Sequence, residues 1–222
     1  MQLTPNLHAF LWTSPNANNC NTYLIKTEQK RILIDPGHAA HFDHVQRGLS
    51  DLNLSMDSID LIVCTHAHPD HMEAVQLFAD TTALFTLHAD DWQMVLDMAP
   101  HLKQIMGTEL DHLTPDFFVN QGQLKVGDID LEIHSTPGHS PGGISLYYAQ
   151  DKALLTGDLI FKGGLGRTDL PGGKSELLKD SIQRMALLDS AWLLSGHGDV
   201  VSGQAAVQSN FEQVERMWFG YL

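Results

Sequence analysis

Three histidines and one aspartate lie within six residues of the stretch CTHAHPDHMEAV, residues 64–75. Imidazole nitrogens bind zinc and iron well, and a carboxylate compensates part of the charge of the cation. Residues two apart in an extended segment point to the same side, so His66 and His68 can share one metal ion. Asp70 and His71 follow where the chain turns into a predicted helix, so they would face a neighbouring point. The spacing His-x-His-x-Asp-His therefore predicts two adjacent metal ions.

Two metal ions need further ligands, and three later segments offer them at the ends of apolar stretches. STPGHSPGG contains His139, LLTGDLIF contains Asp158, and LLSGHGD contains His197. Each candidate adjoins a glycine, which lets the backbone approach a site closely because it has no side chain. A single Gly-Asp pair indicates a turn more often than a ligand, so the prediction depends on all of these segments occurring in order.

The candidate ligands lie at the ends of elements that the apolar pattern predicts. Residues 59–66 form a short continuous apolar run, as in a strand covered on both faces, and residues 70–79 have the periodicity of a helix. Residues 90–106 also have helical periodicity, with a break predicted at Pro100.

The rest of the chain reads as strands in runs with helices between them. Strands are predicted at 21–27, 31–37, 82–88, 143–149, 152–161 and 191–198, with a hairpin turned at Gly127-Asp128. Helices are predicted at 41–54, 175–188 and 204–219, and a Gly-rich loop at 162–174. This order predicts two sheets with helices outside, rather than a singly wound βαβ series.

The composition disfavours several classes of partner. The 222-residue chain has 13 Lys plus Arg against 27 Asp plus Glu, a formal charge of −14, whereas nucleic-acid binding needs a basic face. No apolar run is long enough to cross a bilayer. The first ten residues, MQLTPNLHAF, lack the basic and apolar regions of a signal peptide, and Cys20 and Cys64 do not resemble a disulfide framework. We therefore expect a cytoplasmic protein whose partners are neither nucleic acid nor a membrane.

The ordered motifs HxHxDH, TPGHS, TGD and SGHG resemble those of the metallo-β-lactamase superfamily. Within it, the sequence is similar to the glyoxalase II (hydroxyacylglutathione hydrolase-like) group, which includes the persulfide dioxygenases. The resemblance extends from the stretch LIDPG to His197. It implies an α+β fold, a four-layer αββα sandwich with the site at one edge between the sheets, formed as a single metallo-hydrolase domain over residues 1–222.

The resemblance also implies a role for each matching residue. Seven residues would bind two divalent metal ions: His66, His68 and His139 the first, Asp70, His71 and His197 the second, and Asp158 both of them as a bridge. Zinc is the expected metal, although iron and manganese accept the same ligands. A water or hydroxide would lie between the ions, which gives Asp70 and Asp158 catalytic roles. Asp35, in LIDPG, matches a position that orients a ligand histidine; the alternative is a turn residue before Pro-Gly.

The implied chemistry is hydrolysis, because two cations about 3.5–4 Å apart generate hydroxide near neutral pH and polarise a carbonyl group. A metal-bound hydroxide would attack the acyl carbon of a thioester or related small acyl compound, from which a thiolate departs readily. Arg167, in the Gly-rich stretch GLGRTDLPGG, would grip a carboxylate of this small-molecule substrate. The alternative is that Arg167 pairs with Asp169 and holds the loop.

Two other reactions fit the same ligands. A persulfide dioxygenase would hold a single iron at the positions of His66, His139 and Asp158, because two histidines and a carboxylate are typical of oxygen-activating iron sites. A lactonase would use the same hydroxide as the thioester hydrolase. A binding module without turnover is a further class, which the complete ligand set disfavours.

Four features bear on the substrate and on assembly. Met72 and Glu73 follow HxHxDH where the family has small residues, so Glu73 is expected on a helix surface or at the pocket rim. Glyoxalase II enzymes carry a further helical domain that binds glutathione, whereas 25 residues follow His197, so the resemblance does not imply glutathione recognition.

Residues 90–118, rich in Met and Leu, would cover part of the site or pack in the core. The apolar stretch MWFGYL would pack on the domain or form a homodimer contact.

Overall fold

The computed structural model describes the backbone of residues 1–106 and 113–222, and the side chains of residues 1–99 and 113–222. This part of the chain forms strands β1 to β14 and helices α1 to α5, with short 3-10 turns between them. The helices are α1 (Asp43–Asp51), α2 (Pro69–Met72), α3 (Ala89–Met106), α4 (Ser175–Met185) and α5 (Gln204–Trp218). Within the described residues, no helix is long and apolar enough to cross a membrane.

The first sheet contains six strands that lie side by side in chain order. They are β1 (Leu7–Phe10), β2 (Thr22–Lys26), β3 (Arg31–Ile34), β4 (Leu61–Val63), β5 (Leu84–His88) and β6 (Phe117–Val119). β1 to β3 are antiparallel, whereas β3 to β6 are parallel and need crossover connections, which contain α1, α2 and α3. β4 is fully buried, as its continuous apolar run predicts.

The second sheet has the order β14-β13-β10-β9-β8-β7. Its strands are β7 (Gly122–Val126), β8 (Ile129–Ser135), β9 (Ile144–Tyr148), β10 (Ala153–Gly157), β13 (Trp192–Ser195) and β14 (Val201–Ser202). Neighbours are antiparallel except β10 and β13, which are parallel. The crossover between these two contains α4 and a small hairpin of β11 (Ile160–Phe161) and β12 (Gly164–Leu165).

Three clusters of buried side chains show that the sheets and helices form four layers. Along β2, Tyr23 and Ile25 point into the cluster between the two sheets, whereas Leu24 points into the cluster that includes residues of α1. Successive residues of a strand face opposite sides, so this alternation is what burial of both faces requires. A third cluster joins the outer face of the second sheet, through Leu154 and Leu193, to α4 and α5. The predicted four-layer αββα sandwich is therefore confirmed.

Some elements differ from their predictions. α3 continues through Pro100, so the break predicted there is wrong; proline removes one backbone hydrogen bond, which the other turns of an 18-residue helix offset. The helix predicted over 70–79 is α2 followed by a 3-10 turn, Glu73–Phe78. The strand predicted over 152–161 divides into β10 and β11, because Gly157 has a φ of +48° and turns the chain. The sequence does not predict β1, β6 and β14, which are only two to four residues long.

The Met-rich stripe of α3 has two different environments. Met94 and Met98 pack against the cluster that includes residues of α1, so this part of the stripe belongs to the core. Leu96, in contrast, is 44% exposed. The other apolar residues of the stripe, Leu102, Ile105 and Met106, have side chains that lie outside the described residues.

The apolar stretch MWFGYL at the end of α5 also divides. Phe219 and Leu222 pack against the third cluster, as expected of a segment that covers its own domain. Met217 and Tyr221 are exposed, Tyr221 to 85%. The homodimer contact stays a prediction.

Candidate metal centre

The HxHxDH motif occupies the connection between β4 and α2. His68 is extended, with φ −69° and ψ 145°, and it is the residue that caps the amino end of α2. Pro69 takes the first helical position, where its missing N–H loses no hydrogen bond. His66 and His68 therefore project from an extended segment, whereas Asp70 and His71 project from the first turn of a helix, as the spacing predicts.

The other three candidate ligands come from the second sheet. His139 lies in the connection between β8 and β9, Asp158 directly follows β10, and His197 follows β13. Because β10 and β13 are parallel neighbours, their carboxyl ends lie at the same edge of the sheet. Ile144 joins this edge to the first sheet by donating its backbone N–H to the carbonyl of Thr65 (2.9 Å). The candidate site therefore lies at one edge between the two sheets.

His66, His68 and His139 form a first group of possible metal ligands. Their ligand atoms lie within 4.8 Å of one another, and His68 Nδ1 is 2.8 Å from His139 Nε2. His66 donates through Nδ1 to Thr65 Oγ1 (3.1 Å), and His139 donates through Nδ1 to the carbonyl of Arg167 (2.7 Å). These hydrogen bonds leave Nε2 of both rings without a proton, so that its lone pair can bind a cation.

Asp70, His71 and His197 form a second group, again with ligand atoms within 4.8 Å of one another. His197 Nε2 is 3.3 Å from Asp70 Oδ2. Asp158 lies between the groups, with Oδ1 3.2 Å from His71 Nε2 and Oδ2 3.3 Å from His197 Nε2. The same Oδ2 is 3.6 Å from His139 Nε2 of the first group. One carboxylate thus reaches both groups, as a bridging ligand must.

Three buried atoms of these groups have no hydrogen-bond partner: His66 Nε2, His71 Nε2 and Asp158 Oδ1. Buried polar atoms are nearly always paired, because leaving one unpaired costs about 1–3 kcal/mol. Cations at this position would accept the lone pairs of all three atoms. Imidazole nitrogen combined with carboxylate oxygen is a donor set that suits zinc and iron. The residues present therefore fit divalent metal ions.

His66 and His68 of the first group have the protonation state that metal binding needs. Burial lowers the pKa of His66 well below its usual value. Burial, together with the neighbouring His139, lowers the pKa of His68 to about 4. Both imidazoles are therefore neutral at pH 7, and a neutral imidazole is the form that coordinates a metal.

The second group contains ionised carboxylates and two histidines that hold a proton. Burial opposes a charge on His71, but the neighbouring Asp158 and Asp35 raise its pKa well above its usual value. Burial opposes the charge of Asp158, but the charge of His71 and a hydrogen bond from His197 outweigh it and lower the pKa of the carboxyl. Burial also opposes a charge on His197, yet its hydrogen bonds to Asp158 and Asp70 raise its pKa to about 9. A metal ion at this position would displace that proton, since the two compete for the same lone pair.

Asp35 lies behind the ligand histidines, at the turn after β3. It is only 2% exposed, and its φ of +53° is uncommon for a residue with a side chain. Its Oδ2 accepts hydrogen bonds from His71 Nδ1 (2.9 Å) and Thr65 Oγ1 (2.7 Å), and its Oδ1 accepts one from the Thr65 N–H (2.7 Å). The structure thus places Asp35 where it can orient His71 directly and His66 through Thr65, and it is also a turn residue.

A glycine precedes each of the three ligand candidates of the second sheet, and in each case a side chain would collide with a neighbour. A Cβ on Gly138 would lie 2.3 Å from the backbone nitrogen of Leu178, and one on Gly157 would lie 2.2 Å from Thr65 Oγ1. A Cβ on Gly196 would lie 2.3 Å from Asp158 Oδ1. The close approach that the sequence predicts beside the ligands is therefore present.

Arg167 lies on the Gly-rich loop, near the first group. Its backbone carbonyl holds His139, as described above, while its side chain makes a double hydrogen bond to Asp169, at 2.7 and 2.6 Å. Both side chains are more than 60% exposed. The pairing with Asp169 is thus the arrangement in this structure, and a contact between Arg167 and substrate stays a prediction.

Glu73, which follows the HxHxDH motif, is paired with His38. Glu73 accepts a hydrogen bond from His38 Nδ1 at 2.5 Å, and its side chain is 15% exposed. The N–H of Gly37, next to His38, donates a hydrogen bond to the carbonyl of His71 (3.0 Å), and the carbonyl of Gly37 accepts one from the N–H of Ala74. Glu73 is therefore paired with His38 and mostly covered, and a role of Glu73 at the rim of a substrate pocket stays a prediction.

An open pocket of about 450 Å³ adjoins the second group. Its lining comes mainly from the connection between β1 and β2, including Trp12, Asn16 and Asn18, and it reaches His197. Asn18 donates through Nδ2 to Asp70 Oδ2 (2.7 Å). This segment could not be predicted as part of the site, because it has no motif and lies some fifty residues from Asp70 in the chain.

Comparisons with known proteins agree with this geometry. A model of the family described as Metallo-beta-lactamase superfamily matches residues 15–197. The probable metallo-hydrolase YqgX of Bacillus subtilis is 32% identical over 195 residues, covering 83% of this chain and 89% of that protein. The hydroxyacylglutathione hydrolase GloC of Haemophilus influenzae is 31% identical over 189 residues, covering 82% and 87%. The solved structure of TTHA1623 in a di-iron-bound form is 27% identical, with a TM-score of 0.71, covering 91% and 95%.

The family match includes every candidate ligand, from His66 to His197. It also agrees with the αββα architecture and with the histidine and aspartate groups at the edge of the sandwich. The superfamily binds divalent metals, which the unpaired buried nitrogens and the carboxylate oxygen of the site fit. The chain therefore belongs to the metallo-β-lactamase superfamily of metal-dependent hydrolases.

Proposed function

We propose that the protein uses two divalent metal ions, with zinc as the expected metal, to hydrolyse a thioester or a related small acyl compound. The observation that carries this proposal is the position of Asp158, whose two carboxylate oxygens lie within 3.6 Å of His71 and His197 of the second group and His139 of the first. A single cation would leave one of these groups without a partner, whereas two cations can use the carboxylate as a bridge. The similarity to a relative named as a hydroxyacylglutathione hydrolase supports an acylated thiol as substrate.

The residues of the chain would hold and orient the reactants. When bound, two divalent cations lower the pKa of a water molecule and polarise the carbonyl group of a substrate. Asp70 and Asp158 lie among the histidines, and the pKa of each carboxyl is lowered, against the effect of burial, chiefly by hydrogen bonds from His197 or the charge of His71. Their ionised oxygens can therefore accept hydrogen bonds from an attacking water and fix its direction. A thiol of pKa about 8.5 leaves readily as a thiolate, so a thioester needs little assistance from an acid.

The pocket beside His197 is where we place the substrate. Its volume of about 450 Å³ lies in the range of about 300–1,000 Å³ that is typical of small-molecule sites. Trp12 supplies an aromatic surface, and Asn16 and Asn18 supply neutral hydrogen-bonding groups. Such a lining suits a substrate that carries amide or hydroxyl groups.

Arg167 would bind a carboxylate of the substrate from the opposite loop. Its ion pair with Asp169 is exposed to solvent, and exposed ion pairs contribute little to stability. A substrate carboxylate can therefore replace Asp169 as the partner of the guanidinium, with the same double hydrogen bond.

Two alternatives use the same residues. An iron-dependent persulfide dioxygenase would need one iron at His66, His139 and Asp158, and His139 Nε2 does lie 3.6 Å from Asp158 Oδ2. A lactonase would need the same two cations and an ester in place of the thioester. The dioxygenase would leave the second group, Asp70, His71 and His197, without a metal ion, and the name of a similar protein, hydroxyacylglutathione hydrolase, favours a thioester over a lactone.

The experiment is a comparison of reactions on protein reconstituted separately with zinc, manganese and iron. Hydrolysis would be followed with a hydroxyacyl-glutathione thioester, simple acyl thioesters and lactones, and oxygen uptake with glutathione persulfide. The proposal expects thioester hydrolysis with zinc that is abolished by His139→Ala. His134→Ala is the matched control, because His134 lies on β8 only five residues away and contacts Glu132 rather than the site. Oxygen uptake with one iron per chain, and no thioester hydrolysis with any metal, would contradict the proposal.

A further inference from the structure

Asp91 is a fully buried carboxylate that the sequence analysis did not single out. It lies in the first turn of α3 and has 0% exposure. Its Oδ2 accepts hydrogen bonds from the N–H of Ala67 (2.7 Å) and from Ser140 Oγ (3.0 Å). Its Oδ1 accepts one from the N–H of Gly142 (2.6 Å). These three donors lie in two segments that are more than seventy residues apart in the sequence.

The position of these donors connects Asp91 to the first group of metal ligands. Ala67 lies between His66 and His68, and Ser140 directly follows His139. The two segments therefore carry the three histidines of the first group, and Asp91 is the side chain to which both are bonded. None of its three donors lies beside His197, the ligand candidate of the second group that comes from the second sheet.

The ordinary role of an aspartate at this position does not account for these contacts. Aspartates in the first turn of a helix usually stabilise the helix through its dipole and its own N–H groups. Asp91 instead bonds to three groups outside α3. Placing a carboxylate where it has no exposure carries a large desolvation cost, and burial raises its pKa even though the donors partly offset this. A carboxylate kept under these conditions has a specific structural task.

Close packing brings the loop that carries His139 against the start of α3. A Cβ on Gly142 would lie 2.5 Å from the backbone nitrogen of Asp91 and 2.9 Å from His88 Nδ1. The loop that carries His139 therefore rests directly on the start of α3, with no room for a side chain between them. The separation of His68 Nδ1 and His139 Nε2, which is 2.8 Å, depends on how these two loops are held together.

We propose that Asp91 is a positioning residue for the first metal ion, which it never touches. By bonding to the backbone on both sides, it fixes the distance between the His66–His68 segment and His139, and so it sets the affinity of the first site. The inference rests on the proposed metal-binding function of these histidines. It differs from the position of Asp35, which contacts His71 directly and His66 through Thr65, and which therefore supports both groups.

The test is the affinity of each site for cobalt(II), measured by titration against a chelating indicator. Two background variants separate the sites: His197→Ala removes a ligand of the second site and leaves the first complete, and His68→Ala removes a ligand of the first site and leaves the second complete. Asp91→Asn would be introduced into both of these proteins. The amide presents an N–H₂ group to neighbours that are all donors, so at least one of the three hydrogen bonds is lost. Loss of a residue that supports metal ligands typically weakens binding about 10- to 100-fold, which is the change expected at the first site.

At the second site we expect Asp91→Asn to change the affinity by less than about threefold. This is well below the roughly 10-fold loss that removal of a residue supporting a metal ligand causes at least. Asp90→Asn is the matched control, since it removes the same charge one residue away from a side chain that is 68% exposed. It should leave both affinities unchanged. Equal weakening of both sites by Asp91→Asn would overturn the inference, and so would no weakening at the first site.

A second variant keeps the test decisive where Asp91→Asn does not fold, as judged by thermal unfolding of the metal-free protein. Ser140→Ala removes only one donor to Asp91, and it should weaken the first site by less than Asp91→Asn but by more than it weakens the second. A folded Ser140→Ala protein with unchanged affinity at the first site would overturn the inference. Absence of cobalt binding in the unmodified protein would instead contradict the proposed function itself.

Discussion

Gly196 is the position at which a single added methyl group should disable the metal centre. A Cβ there would lie 2.3 Å from Asp158 Oδ1 and 2.6 Å from His71 Cε1. Ordinary van der Waals contacts begin at 3.4 Å, so the carboxylate oxygen would have to move by about 1.1 Å. Gly196 does not have a positive φ, so alanine adds no backbone strain at this position. The perturbation is therefore a displacement of two candidate ligands.

A misplacement of about 1 Å in an active site can lower a rate about 100-fold, which corresponds to about 2.7 kcal/mol of activation free energy. We expect Gly196→Ala to lower kcat/KM for thioester hydrolysis by this factor and to lower the metal content of the purified protein. The assay combines elemental analysis, steady-state kinetics and a thermal unfolding curve that verifies folding.

Gly198→Ala is the control for this prediction. Gly198 lies two residues away and has a φ of +76°, but no atom lies within 4 Å of its added Cβ. Alanine there strains the backbone without touching a ligand, so the metal content should stay close to that of the unmodified protein. Full metal content and activity in Gly196→Ala would refute the ligand geometry described here. Equal losses in both variants would also refute it, because the backbone of the loop rather than the contact with Asp158 would then matter.

Three further predictions concern the substrate, the buried thiols and alkaline pH. Arg167→Ala should raise KM for an anionic thioester at least about tenfold with kcat unchanged, whereas Asp169→Ala should not raise KM. Similar kinetics in the two variants would mean that the ion pair between Arg167 and Asp169 only holds the loop. Burial raises the pKa of the Cys20 and Cys64 thiols, so Ellman's reagent should modify neither in the native protein and both in denaturant, and reaction of the native protein would contradict their burial. Thiols of the unfolded chain ionise from about pH 8.5, whereas the buried thiols of the folded protein stay protonated. Below pH 8.5 the two thiols should therefore not affect the free energy of unfolding. Above pH 8.5 that free energy should fall, by up to about 1.4 kcal/mol per thiol per pH unit. Urea unfolding at a series of pH values measures this dependence, and a rise in stability above pH 8.5 would contradict its sign.

The ligand set could be predicted because its signals are local. His66, His68, Asp70 and His71 lie within six residues, and their spacing alone indicates two directions of approach. The later ligands are each marked by a preceding glycine, as at Gly196, where the structure has no room for a side chain. The resemblance to a known superfamily then supplied the αββα architecture, which the order of strands and helices permits without requiring it.

The features that sequence reasoning missed all depend on contacts between distant segments. Asp91 looks like any aspartate in the first turn of a helix, and only the fold shows that it bonds to loops on both sides of the first histidine group. Asn18 lies in a stretch of small polar residues without periodicity, yet it donates to Asp70. The break predicted at Pro100 was wrong because local propensity is outweighed when a long helix is otherwise continuous. The single domain over residues 1–222 stays a prediction.

The central claim, that two metal ions share the Asp158 carboxylate, is tested most directly by the metal content of protein purified without added metal. Elemental analysis should find about two divalent metal ions per chain, with zinc as the expected metal, and His197→Ala should retain about one. One iron per chain that His197→Ala does not change would contradict the dinuclear account and favour the persulfide dioxygenase. No metal in the purified protein, and none taken up on addition, would contradict the assignment of the histidine and aspartate groups as metal ligands.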